Sequence, residues 1–142
     1  MRYWILQVNP GRYRIFDALH DAKVINKWAV RRYRNEISPG DRFALWVAGR
    51  EGGIYAFGLI TEPAVLQPEV PDPYWEGPAY EDNYKWLIGI KIERILAKHI
   101  PRSEIVADPD LAAAAIIRTP WAGNPHNVSD IQWNAICSHI KE

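Results

Sequence analysis

The sequence predicts an α+β domain built on a mainly antiparallel, strongly curved β-sheet that could close into a barrel. Three observations predict it. Strand-like runs outnumber helix-like ones, no strand–helix–strand unit repeats, and short turn signals join the runs. A chain of 142 residues with 48% hydrophobic content can fill one core, so residues 1–142 are read as a single domain.

The elements follow in order. Residues 3–8, Tyr-Trp-Ile-Leu-Gln-Val, read as a buried first strand. Asn9 is a good helix N-cap and Pro10 suits the first helical position, with Ile15, Phe16 and Leu19 as the apolar face of a short helix. Residues 24–36 are mixed, and Ser38-Pro39-Gly40-Asp41 is a turn. Phe43 to Val47 and Ile54 to Ile60 are strands, joined through the glycine-rich link at 49–53 as a hairpin. Residues 61–84 break the pattern with Pro63, Pro68, Pro71, Pro73 and Pro78, several acids and no Lys or Arg. A loop of that length inside a compact domain is usually functional or mobile, and it presents Tyr74, Trp75 and Tyr80. Residues 86–92 alternate as a strand, and Pro109 to Ile117 read as a short helix. Residues 118–128 form a turn-rich loop. Ser129 with Gln132 then makes a capping box for a last helix, whose Trp133, Ile136, Cys137 and Ile140 face the core.

Composition excludes several classes. Asn9, Pro10 and Arg12 end the first apolar stretch early, so neither a signal peptide nor a membrane span is expected. The single cysteine, Cys137, allows no internal disulfide and suits a reducing cytoplasm, the expected location. The formal net charge is zero, yet Lys23, Lys27, Arg31, Arg32 and Arg34 form a run with no acid among them. Such a local patch can hold phosphate on a neutral protein, or simply be a solvated face.

No catalytic motif is visible. The glycine-rich link lacks a following Lys-Ser/Thr, so it is not a phosphate-binding loop. His20, His99, His126 and His139 are scattered, which predicts no metal site, and His126 reads as a surface residue of a polar loop. Cys137 lies on an apolar helix face, where a thiol is inert. No catalytic residue and no cofactor are therefore expected. Basic residues beside aromatics remain. Single bases are recognised by stacking on aromatic faces and by hydrogen bonds to their edges, and a base in a duplex must first be flipped out. Trp28 beside Lys27 and Arg31, with Trp75 on the long loop, supplies those parts, while Trp4, Trp86 and Trp133 follow core patterns.

A family resemblance rests on the order of several short pieces. They are Tyr3 to Pro10, Tyr13, Trp28-Ala29-Val30-Arg31, Ile37 to Asp41, Leu45 to Gly49, Gly53 to Gly58 with Glu62-Pro63, Ile117-Arg118, Gly123-Asn124, Ser129, Trp133 and Ile136. In this order the chain resembles an EVE domain of the PUA-like superfamily, related to YTH domains. The resemblance implies a small curved barrel with flanking helices and a reader of modified bases, with modified cytosine in DNA as the expected ligand. It also implies a possible nuclease or GTPase partner, fused or in trans, as in modification-dependent restriction proteins. Carried over to this chain, it makes Trp28 one wall of an aromatic pocket and Trp75, with Tyr74, the wall that closes it around a sandwiched flat ligand. Gln7 and Asn9 would bond the base edge. From the basic run, Lys27, Arg31, Arg32 and Arg34 are expected to flank this pocket and contact backbone phosphates. Gly123-Asn124-Pro125 departs from the Gly-Thr-Asn more usual there, which leaves contacts from that loop open. The alternatives are a reader of modified RNA on the same fold, an ASCH-like hydrolase using Lys27, Tyr33 and Glu36, and a protein-interaction module using the acidic proline loop.

Overall fold

The computed structural model describes residues 1–21, 25–69, 72–76 and 83–141. Lys23 of the basic run, and Pro71, Pro78 and Tyr80 of the long loop, lie outside the described residues. The elements are β1 (Tyr3–Val8), α1 (Ile15–His20), β2 (Lys27–Ala29), β3 (Arg42–Val47), β4 (Gly53–Pro68), β5 (Tyr84–Pro101), α2 (Arg102–Ala107), α3 (Ala115–Arg118), β6 (His126–Val128) and α4 (Asp130–Ser138), with single 3-10 turns at Pro109–Leu111 and Pro120–Ala122. The strands form one sheet in the order β2-β5-β4-β3-β1-β6. All pairings are antiparallel except β1 with β3. The α+β class expected of a PUA-like domain is therefore present.

The first strand is buried because both faces of the sheet are covered. Its alternate residues Trp4, Leu6 and Val8 join one core with Phe43, Leu45, Ile60 and Ile88. Ile5 points the other way, into a second core with Trp46, Ile54, Ile105, Ile116, Trp133 and Ile136. Asp41 locks the start of β3 to β1, accepting from the Trp4 indole at 2.9 Å, from Arg2 N–H at 3.0 Å and from Ser38 N–H at 2.9 Å. Repeated register shifts between β4 and β5 mark bulges that bend the sheet. At Gly58 the bend brings the Phe43 ring and the Lys91 carbonyl so close that a Cβ would overlap them.

Several sequence expectations are corrected. The sheet does not close into a barrel among the described residues. β2 has only three residues, and the chain after it meets a turn rather than a strand, with Arg31 and Arg32 N–H both donating to the Asn124 carbonyl, at 2.9 and 3.2 Å. Residues 61–68 are strand, not loop. β3 stops pairing with β4 at Leu59, so among the described residues the only strand this stretch pairs with is β5, and Pro63 and Pro68 sit on the other edge, where a missing N–H is tolerated. Asn9 does not cap α1. Its side chain accepts from Gly11 N–H in a local turn, and the helix starts at Ile15 with Ala18 and Leu19 buried and Phe16 exposed. The Ala-rich helix is broken into a 3-10 turn and α3. The capping box of α4 forms as expected, with both Ser129 and Gln132 bonds made. Among the described residues no helix is long and apolar enough to cross a membrane.

Candidate functional site

A cleft of about 600 Å³ opens where the end of β1, strand β2 and the segment 72–76 meet. Its floor is the end of β1, with Gln7 and Val8, and the residue after it, Asn9. β2 brings Lys27, Trp28 and Ala29, because its pairing of Trp28 with Ile88 hangs it on the outer edge of β5. Half-buried Trp28 packs against the core on one side and lines the cleft on the other.

Trp75 reaches the same cleft through backbone pairing. Arg14 N–H donates to the Tyr74 carbonyl and Glu76 N–H to the Arg12 carbonyl, both at 2.8 Å, so residues 74–76 lie against residues 12–14 as a short antiparallel bridge. Tyr13 is the pivot. Its ring meets Trp75 edge-on at 4.9 Å and Trp28 edge-on at 6.4 Å. Its hydroxyl donates to Asp72 Oδ2 at 2.7 Å. Burial, and then the Asp72 carboxylate, push its ionisation far up, so it stays a neutral donor. Trp75 remains 48% exposed. A large indole so exposed at a cleft rim is available to a ligand.

The turn 123–125 seals the far end. Asn124 Oδ1 accepts from Gln7 N–H at 2.6 Å and its Nδ2 donates to the Gln7 carbonyl at 2.8 Å. Gly123 leads into this with φ of +88°, a conformation that side chains rarely adopt. Arg32 braces the turn through bonds to the Gly123 and Pro125 carbonyls, at 3.1 and 3.2 Å. Below it His126 is fully buried, not a surface residue, because β6 pairs with β1 and sets it opposite Ile5. Its Nε2 lies 3.0 Å from Gln7 Oε1. Burial, helped by the Arg32 charge, lowers its pKa to about 4, so the ring is neutral.

Of the residues singled out from sequence, the cleft gathers Trp28, Trp75, Gln7, Asn9, Lys27 and Arg31. Three others lie off it. Tyr74 packs against the core beneath Arg14, Arg32 holds the 123–125 turn, and Arg34 lies over the ring of half-buried Trp86 at 4.5 Å. Lys27 is ion-paired with Glu62. Tyr33 packs on Trp4 and does not line the cleft; neither does Glu36, so the hydrolase trio is not assembled there. Sequence reasoning missed Arg12, Tyr13, Asp72 and Asn124 as lining residues. Arg12 and Arg31 are exposed cations at the mouth, with no ion pair to a described residue. The carboxylates are already engaged: Glu69 with Lys85, and Asp72 with the Tyr13 hydroxyl and Tyr74 N–H. Among the described residues no group of three or more His, Cys, Asp or Glu side chains could hold a metal ion. Chemically, the arrangement offers aromatic surface, amide groups and, beside the ion-paired Lys27 and Lys85, the two cations Arg12 and Arg31.

The chain matches the model of the EVE domain family over residues 2–139. Its fold is shared by Rpa0253 from Rhodopseudomonas palustris, at 18% identity and a TM-score of 0.72 over 99% of this chain and 93% of that one. It is shared by a Pseudomonas putida protein, at 20% identity and 0.71 over 98% and 99%. It is also shared by human THYN1 protein, solved in complex with 5-methylcytosine-containing DNA, at 19% identity and 0.66 over 100% and 99%. No curated protein matches the chain.

Proposed function

Since the chain belongs to the EVE domain family, we propose that its cleft binds nucleic acid and holds a flipped, modified base, with modified cytosine in DNA as the ligand. One observation carries this reading. Trp28 and Trp75, from distant parts of the chain, line a single cleft with the amides of Gln7 and Asn9 on its floor and Arg12 and Arg31 among its lining. Stacking surface, edge-reading groups and phosphate-binding cations are what base capture requires. The THYN1 complex adds that a protein of this fold has been crystallised on 5-methylcytosine-containing DNA.

The domain acts as a reader without chemistry of its own. Recognition by stacking and edge hydrogen bonds needs no activated nucleophile, and the cleft's carboxylates and lysines are tied to one another or to neighbours. The test is a binding panel of matched duplexes with cytosine, 5-methylcytosine or 5-hydroxymethylcytosine, beside the same sequences in RNA. Tighter binding to a modified DNA supports the reading. Equal affinity across the panel overturns it, and preference for modified RNA transfers the same pocket to the other nucleic acid.

A further inference from the structure

The end of β1 and the residue after it carry two carboxamides two positions apart, Gln7 and Asn9, and the oxygen of each is already used. Asn9 Oδ1 accepts from Gly11 N–H at 2.9 Å. A backbone N–H can only donate, so this bond fixes which end of the amide is oxygen and leaves the NH2 outward. For Gln7 the same question turns on its partner. Its Oε1 lies 3.0 Å from His126 Nε2, and His126 Nδ1 is buried without a partner.

A neutral imidazole carries one proton. On Nδ1 it would leave a buried N–H stranded on a ring that already feels the positive charge of Arg32. On Nε2 it donates to Gln7 and leaves only a lone pair unpartnered, which a nearby cation favours. His126 is therefore the donor and Gln7 Oε1 the acceptor, and the Gln7 NH2 is the end left for the cleft. Asn124 does not compete, since both ends of its amide are spent on the Gln7 backbone.

We propose that Gln7 and Asn9 present paired amide N–H donors to the ligand, with His126 as the positioning residue that sets the Gln7 amide. The cleft then selects a base edge with adjacent acceptors, such as O2 and ring N3 of a cytosine. This rests on the reading of the cleft as a base pocket and adds the edge that is read. Thymine, whose ring N3 carries a proton, sets a donor against a donor and is rejected.

The experiment measures affinity for single-stranded DNA bearing one 5-methylcytosine, against the same strand with its 3-deaza analogue, in which ring N3 is replaced by C–H. The wild type should bind the analogue about tenfold more weakly, the loss of one well-made hydrogen bond. Of Gln7→Met and Asn9→Leu, each similar in size but without the amide, the one whose donor faces ring N3 should shrink that penalty to about twofold or less on the same reasoning, and neither doing so overturns the edge assignment. Because Gln7 is itself half-buried, nitrogen NMR of His126 in the unmodified protein gives an independent readout. A protonated Nε2 and a bare Nδ1 are expected at neutral pH. A proton on Nδ1 inverts the Gln7 polarity and overturns the proposal. Equal binding of the two strands, with preference over unmethylated cytosine retained, overturns the edge assignment and leaves the pocket standing. Loss of any preference for the modified base removes both.

Discussion

The side chain of Asn124 pairs with the backbone of Gln7 as a neighbouring strand would, accepting at 2.6 Å and donating at 2.8 Å. Its own carbonyl meanwhile takes the N–H groups of Arg31 and Arg32. One residue thus joins the β1 and β2 sides of the cleft. Asn124→Ala should lower stability by about 1–3 kcal/mol, because it strands both polar groups of Gln7. Asn124→Asp should cost no less, because it keeps the acceptor for Gln7 N–H but sets a carboxylate oxygen against the Gln7 carbonyl. Urea unfolding measures both, and a cost below that of an ordinary surface change would show that the pairing is dispensable.

Trp75→Ala and Trp28→Ala should separate binding from folding. Trp75 is 48% exposed, so its removal should barely move the melting temperature while costing about 1–3 kcal/mol of affinity for a stacked base. Trp28 also packs on the core, so Trp28→Ala should lose affinity and stability together. Thermal melts beside binding isotherms check this. Unchanged affinity in both variants would remove the aromatic walls from the site.

Much of this architecture is legible locally. The apolar runs of β1 and β3 and the Ser129–Gln132 capping box each lie within a few residues of one another, and each forms as the pattern implies. What was not legible depends on partners far along the chain. His126 reads as polar loop until β6 pairs with β1 and buries it. Tyr13 falls within the helix that Asn9 and Pro10 are expected to start, and its place beside the cleft depends on residues 74–76 docking against it. The prolines at 63 and 68 hide a strand because a sequence does not announce which edge of it stays unpaired. The basic run reads as one surface, yet its members divide among the cleft, the 123–125 turn and the Trp86 face.

That division changes the expectation for charge. Arg31→Ala and Arg12→Ala together should weaken binding to modified and unmodified strands alike, and flatten the dependence of log affinity on log salt by about 2. Arg32→Ala should instead destabilise the 123–125 turn, whose two carbonyls it holds. A salt titration of each variant decides it. A loss confined to the modified strand would make Arg12 or Arg31 a base reader.

Stability should fall in mild acid through His126. The folded ring titrates at about 4 and the unfolded ring near 6.5, so between these values the unfolded chain binds the proton that the folded one refuses. The contribution is complete above the unfolded value and is lost as pH drops through that window towards the folded one. It amounts to on the order of 3 kcal/mol, at about 1.4 kcal/mol for each pH unit. Urea midpoints measured across the window should slope downward with acid, and His126→Asn should flatten the slope. An equal slope in that variant would assign the effect to the carboxylates instead.

The bonds between Asn124 and Gln7 span 117 positions. The entropy of closing so large a loop must be met before the contact returns anything, which places such bonds late in assembly. During synthesis the tryptophans at 28 and 75 leave the ribosome well before residue 124 does. A nascent chain halted after β5 and before residue 124 would hold Trp28 on β5 with the seam at Gln7 still open. The seam that joins the two sides of the cleft thus closes only once residue 124 has been made, as a single event and not in proportion to chain length.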